Sequence, residues 1–313
     1  MTITTYSDEL DRRLAMGAAC LSEEFRAKQG RWLAERQNPD GGFGGLAGAS
    51  DLYYTGFAAR SATLLKLETP QLWSGFAEFI YQKGPRLREP ADALSALVIK
   101  KALDARSVRA CCPECEKRAM DRARATLEKF RLGDEGYRKT PGGAASLYQT
   151  FLAALCFELS AESFPCAEGI AETVRMHRGA EGGFSDLRGQ PEGTNPTAAA
   201  MALAVMFEVA DVELIRGAAG FLRKMQRAEG GFAAAAKAPG ADLMSTFTAM
   251  ATLDGLGLTD AVKLGAVGRF VKDSAKRGGG FGPAGRSDDA PDVEYTYYGL
   301  GTLALLAGRA RGA

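Results

Sequence analysis

The sequence predicts an all-α protein, an α6/α6 toroid (barrel) of six helical-hairpin repeats, on three observations. The first is a short glycine–aromatic motif that recurs. "DGGFGG" places Phe43, "EGGFSD" Phe184, "EGGFAA" Phe232 and "GGGFGP" Phe281, and a worn copy, "DEGYRK", places Tyr137. The second is the period. The aromatics from Tyr137 to Phe281 are separated by 47, 48 and 49 residues, and Phe43 lies 94 residues, two steps of 47, before Tyr137. Self-similarity at such a period marks a chain of stacked units. One copy is missing near "GPRLREP", Gly84 to Pro90. The third is that each aromatic is followed 12 to 15 residues later by a threonine: Thr55, Thr150, Thr197, Thr246 and Thr296.

Each threonine heads an apolar run such as "TAAAMALAVMF", dominated by alanine and leucine and free of proline, which favours helix. The threonine is expected to be the N-cap of that helix. A second, amphipathic run precedes each motif, as in "GAAGFLRKMQRAE". Each unit then reads helix, glycine-rich turn, loop, helix. The glycines supply positive φ where the first helix ends, and the aromatic packs back between helices. A phosphate-cradling loop would need G-x-x-x-x-G-K-[ST] or G-x-G-x-x-G after a strand, and neither spacing is met in "RQNPDGGFGG", Arg36 to Gly45.

Six units of about 48 residues account for nearly all of residues 1–313, which are read as a single domain. With Lys plus Arg at 39 and Asp plus Glu at 38, no electrostatic footprint for nucleic acid or an anionic membrane is present. The longest apolar run, Ala198 to Phe207, is too short to span a bilayer. "MTITTYSDELDRR" carries no hydrophobic signal region, so a cytoplasmic protein is expected. "CCPEC" gathers Cys111, Cys112 and Cys115. One C-x-x-C is half a zinc knuckle, and the six cysteines are read as reduced thiols at helix ends. His177, the sole histidine, is read as a helix C-terminal residue bonded to carbonyls.

In a closed ring the helices after each threonine, rich in alanine and glycine, form the inner layer. Their N-termini and the preceding loops gather at one mouth, where free N–H groups favour anions. Lys237 and Arg286 in those loops are expected to hold an anionic head group. Tyr54, Tyr148, Phe151, Phe247 and Tyr297 are expected to line an apolar cavity below it, suited to an amphiphile with a long tail. Asp288, Asp289 and Asp292 in "DDAPD" offer oxygen ligands of the kind magnesium prefers.

The quoted motifs, with "GGF…DLMSTFTAMATL" and "GGGFGP…DVEYTYYGLGTLALL", resemble the β subunits of protein prenyltransferases, especially the Rab geranylgeranyltransferase type, in a superfamily that includes the squalene cyclases. The resemblance implies an isoprenoid lipid or prenyl diphosphate as ligand, and a helical α-subunit-like partner or a homo-oligomer. In the family an Asp-x-Cys and a later His bind a catalytic zinc. Those positions fall on Asp242, Met244 and Tyr295, and a thioether and a phenol are poor replacements. Zinc is therefore not expected, no cofactor is assigned, and Asp242 and Tyr295 remain the candidate catalytic pair. The family's diphosphate-binding bases are depleted too, since its third-unit arginine aligns with Ala145. The expected function is a prenyltransferase-like protein that binds an isoprenoid and transfers or processes the prenyl group without zinc. Two alternatives stay open: a non-catalytic isoprenoid-binding or protein-interaction scaffold, and a terpene cyclase-like enzyme.

Overall fold

The computed structural model describes residues 4–46, 48–109, 112–286 and 288–312. Among them are thirteen α-helices: α1 (Tyr6–Ala18), α2 (Glu23–Ala34), α3 (Leu52–Leu64), α4 (Pro70–Ala77), α5 (Pro90–Asp104), α6 (Pro113–Phe130), α7 (Leu147–Leu159), α8 (Ile170–His177), α9 (Thr194–Met206), α10 (Val212–Lys224), α11 (Leu243–Gly255), α12 (Leu264–Ser274) and α13 (Val293–Gly312). The odd-numbered helices from α3 to α13 form the inner layer. Each packs on the next, and α13 packs on α3, which closes the ring. The even-numbered helices lie outside and show the stripe that position requires; α10 buries Leu214, Ala218, Ala219, Phe221 and Leu222 and exposes the rest or leaves it half-buried. Small residues let the inner helices approach closely at particular points: a Cβ on Gly56 of α3 would lie 2.8 Å from the Ser95 side chain of α5.

The degenerate second unit keeps its helices. It runs through α4, a π-helical turn from Glu78 to Lys83, and α5. No aromatic-to-threonine pair stands there. Instead the Asp92 carboxylate accepts from the Arg88 amide at 2.6 Å and ties down the start of α5.

The threonines do not cap. The caps stand four residues earlier: Asp51, Ser146 and Asp242 each accept from an amide in the first turn. The threonine lies inside the helix, and its hydroxyl does two things at once. In α9, Thr197 Oγ1 donates to the Gly193 carbonyl at 2.7 Å and accepts from the buried Phe184 amide at 2.9 Å. Thr150, Thr246 and Thr296 repeat the pattern with Tyr137, Phe232 and Phe281, and Thr55 with Phe43. All five aromatics are fully buried, as their spacing predicts. The glycine before them is equally constrained. Gly230 holds φ at 109°, and a Cβ there would sit 2.2 Å from the Ala266 carbonyl oxygen.

Helix α1 stands outside the repeat. It crosses beneath the C-terminal ends of the inner helices and packs along α13. Its first amides, from Tyr6 and Ser7, donate to the Glu158 carboxylate at the end of α7. Arg13 pairs with Asp254 at 2.7 Å near the end of α11, and Lys101 reaches Asp8 and Asp11 from α5. At Gly17 the two helices come so close that a Cβ would lie 1.7 Å from the Ala304 carbonyl oxygen. The plug end of the barrel is therefore built by one helix, and the opposite end, at the N-termini of the inner helices, is the mouth.

Replacing Thr197 by Val keeps shape but removes the acceptor of the Phe184 amide. An orphaned buried N–H costs roughly 1–3 kcal/mol. Denaturant unfolding of Thr197→Val is expected to show that loss with an unchanged slope; wild-type stability would refute the role assigned to the hydroxyl.

Candidate functional site

A cavity of about 370 Å³ lies inside the inner layer. Its wall draws on all six inner helices and on α1, and on no outer helix. Tyr148, Phe151, Phe247 and Tyr297, expected to line such a space, line it; Tyr54 does not, and sets its ring edge-on to Tyr53 at 5.5 Å. Phe57 and Tyr298, which also line the cavity, join Phe247 and Tyr297 in one aromatic cluster with ring centroids 5.3 to 5.8 Å apart. At the lower end Tyr6 of α1 meets Phe151 edge-on at 6.1 Å. Four charged residues stand in this wall: Asp11, Lys101, Arg106 and Arg60 of α3, the last of which sequence inspection passes over because it sits within an alanine-rich helix and not in a rim loop.

The mouth differs from its sequence-based expectation. The helix N-termini there are not free for anions. The first amides of α7, α9 and α11 donate to loop carbonyls of the neighbouring unit, Leu147 to Asp186, Thr194 to Ala234 and Leu243 to Pro283. Side chains take further amides: Asp51 binds that of Tyr54, Asp186 that of Tyr148, Asp242 that of Ser245 and Asp292 that of Glu294. The positive ends of α3, α7, α11 and α13 are thus already met by carboxylates from within the chain.

Lys237 and Arg286 are exposed and lie outside the cavity wall. The Arg286 backbone instead forms a turn, its amide donating to Asp289, whose same oxygen accepts from Ala284. Asp288 is exposed and Asp292 is buried beside Glu294. Among the described residues no group of three or more His, Cys, Asp or Glu side chains comes together at metal-binding spacing. At the positions of the family's zinc ligands the fit is poor. Asp242 spends both carboxylate oxygens on Ser245, one on the amide at 2.7 Å and one on the hydroxyl at 2.8 Å. Met244 offers a thioether. Tyr295 has its phenol pushed up to about 12 by burial and by Glu294, Asp242 and Asp292, so it stays protonated.

What the mouth does contain is a carboxyl among phenols. Glu294 Oε1 accepts from the Tyr53 hydroxyl at 2.6 Å, and Tyr298 stands on its other side. Burial lifts the Glu294 pKa, helped by Asp292 and Asp242, against the lowering effect of the two phenols. Asp292 is raised as well, again chiefly by burial.

Of the thiols, Cys156 lies inside α7, not at a helix end, and burial drives its pKa far above the ordinary range. Cys112 caps α6 and accepts from the Cys115 amide at 3.3 Å. Cys111 lies outside the described residues. His177 ends α8, as expected, with Nδ1 3.0 Å from the Ser185 carbonyl. No helix among the described residues is long and apolar enough to cross a membrane.

A closed double ring of helices around an aromatic cavity defines an α/α toroid. The chain belongs to the prenyltransferase alpha-alpha toroid domain family, whose profile matches residues 13–113 and 91–311. Among solved structures it is similar to the protein geranylgeranyltransferase-I of Candida albicans complexed with GGPP, at 14% identity over 90% of each chain and a TM-score of 0.62. It is likewise similar to the type II terpene cyclase MstE from Scytonema, in complex with merosterolic acid A, at 14% identity over 96% of this chain and 99% of that one, with a TM-score of 0.61. A protein from Actinoplanes gives 13% identity, 93% and 100% coverage and a TM-score of 0.57. No curated protein matches the sequence. At these identities the likeness is one of fold.

The raised Glu294 pKa has a stability consequence of definite sign. A carboxyl whose folded pKa lies above its unfolded value costs nothing below the unfolded value, and destabilises progressively as pH rises toward the folded one. Glu294→Gln keeps an acceptor for Tyr53 and removes that cost. Its melting temperature is expected to exceed wild type at neutral pH and to match it in acid below the ordinary carboxylate range. A gain of equal size at both pH values would assign the effect to packing instead.

Proposed function

We propose that the protein takes an isoprenoid chain into the central cavity and processes its prenyl group without the zinc site of protein prenyltransferases. One observation carries this reading: an aromatic and aliphatic cavity enclosed by every inner helix, of a size toward the lower end of ligand pockets, which run from about 300 to 1,000 Å³. The fold it shares with a geranylgeranyltransferase complexed with GGPP and with a terpene cyclase supports the choice of an isoprenoid. Burying each methylene contributes up to about 0.8 kcal/mol, so an added isoprene unit strengthens binding until the cavity is full.

A second, terpene cyclase-like reading is favoured by Glu294. A buried carboxyl whose pKa is lifted retains its proton more readily, and the Tyr53 hydroxyl links it to the cavity wall. Glu294 itself stands behind the wall, so it would supply a proton through the Tyr53 hydroxyl to an olefin of the bound chain, leaving a carboxylate on Glu294 and a carbocation on the chain, with Tyr298 orienting the carboxyl. Asp242, with both oxygens bound to Ser245, is less free for this role, and Tyr295 would serve to shape the mouth.

Calorimetric titration with geraniol, farnesol and geranylgeraniol, and with their diphosphates, tests the first reading. Affinity is expected to climb with chain length and then level off. If none of the six binds, the isoprenoid assignment is lost. Product analysis after incubation with the same compounds tests the second: Glu294→Gln should retain affinity and lose conversion, and equal conversion by this variant would remove Glu294 from the chemistry.

A further inference from the structure

Arg60 is the one feature of the cavity that an apolar chain does not explain. It begins eight residues after Leu52, so it projects from the wall about 12 Å below the mouth at 1.5 Å per residue. Its guanidinium carbon lies 5.7 Å from the Tyr297 ring centre and 5.8 Å from that of Phe57, and the Tyr297 hydroxyl is within hydrogen-bonding reach. Tyr148, Tyr298 and Cys156 are also near enough to feel its charge. All of these are neutral groups. Among the described residues Arg60 forms no ion pair. The carboxylates nearby are committed elsewhere: Asp11 to Lys101 at 2.9 Å and Glu294 to Tyr53 at 2.6 Å.

An arginine is permanently charged, and placing it in an apolar wall without an anion is costly. Ring faces offset only part of that cost. The arrangement is complete only when an anion enters from the cavity. One guanidinium presents a planar fork that matches a carboxylate with two parallel hydrogen bonds. The other cations of the wall cannot join it, because Lys101 is held by Asp8 and Asp11, and Arg106 stacks on Trp73 at 3.7 Å. A diphosphate, with its higher charge, would meet a single counter-charge here, whereas a monoanion is matched.

We propose that Arg60 is a carboxylate-binding residue, and that the ligand of this cavity is a long-chain acid whose carboxylate docks on Arg60 in the interior of the barrel. The inference rests on the cavity being a lipid site and specifies the chemistry of its occupant.

Calorimetry on the full chain tests it with three probes: farnesol, farnesoic acid and palmitic acid. The wild-type protein is expected to bind farnesoic acid roughly tenfold or more tighter than farnesol, the range of a charge-assisted pair. Arg60→Leu should abolish that preference and leave farnesol affinity within about threefold, since the apolar wall is kept. Arg60→Lys should retain part of it, and provides the charge-conserving control should the leucine variant fold poorly. Because no ion pair is lost, the melting temperature of ligand-free Arg60→Leu should not fall below wild type. If farnesol binds and farnesoic acid binds no better, or if Arg60→Leu keeps the preference, the Arg60 assignment is overturned while the isoprenoid cavity stands. If palmitic acid binds in an Arg60-dependent manner and neither prenyl compound binds, the isoprenoid reading fails and Arg60 keeps its role. If neither acid binds, the inference is wrong.

Discussion

The barrel depends on a hydroxyl. In five of the six units a threonine in the second turn of the inner helix accepts the amide of the aromatic that ends the glycine turn, and returns its own proton to the carbonyl four residues back. That one group fixes three things together: the first turn of the inner helix, the seat of a fully buried ring, and the path of the loop between them. A buried amide has to be satisfied, and this position satisfies it without bringing in charge. The ring then fills the space between outer and inner helices, and the turn glycine is held where no side chain fits. Repeating the clasp at a near-constant interval gives each hairpin the same geometry, which is what allows the units to close on themselves.

Closure has an electrostatic cost that shows at the mouth. Three loops lend a carbonyl to the first amide of the helix beside them, at α7, α9 and α11, and aspartates take up amides at the starts of α3, α7, α11 and α13. The helix ends that would attract a phosphate are occupied in holding the ring together. The result is a mouth of carboxyls and phenols, with pKa values displaced upward by burial, above a wall whose free-standing charge is positive and deep. Polarity is thus inverted relative to a barrel that grips a diphosphate at its rim.

The repeat was legible because it is local. A motif, a period and a threonine at a set distance are all readable along one dimension, and they lead directly to inner and outer helices and to the aromatics of the cavity. A threonine at the head of an apolar run reads as a cap, yet the capping residues are also in the sequence: Asp51, Ser146, Asp242 and Asp292 each stand four residues before their threonine. The interlocked mouth was not legible, since Leu147, Thr194 and Leu243 find partners in a different unit at no fixed spacing. Arg60 escaped for a related reason. A charge inside an alanine-rich helix looks solvated until the curvature of the ring turns that face inward. Helix α1 carries no repeat signature, and its place is set by ion pairs with α5 and α11 and by its first amides donating to Glu158 of α7, contacts that only the closed barrel brings within reach.

The close packing of α1 on α13 bears on how such a molecule comes to be folded. An open array of hairpins can grow one unit at a time, each stabilised by the neighbour already in place. Here the helix that seals the lower end rests on the helix that closes the ring, with a glycine at Gly17 so tightly apposed that neither can settle approximately. The two are almost the whole described chain apart. Their docking carries a loop-closure entropy that no local pairing shares, and contacts of that kind set the pace of folding. The cavity is an enclosed space only where this contact is made, so the interior that would receive a ligand is a property of the closed ring and not of any part of the chain.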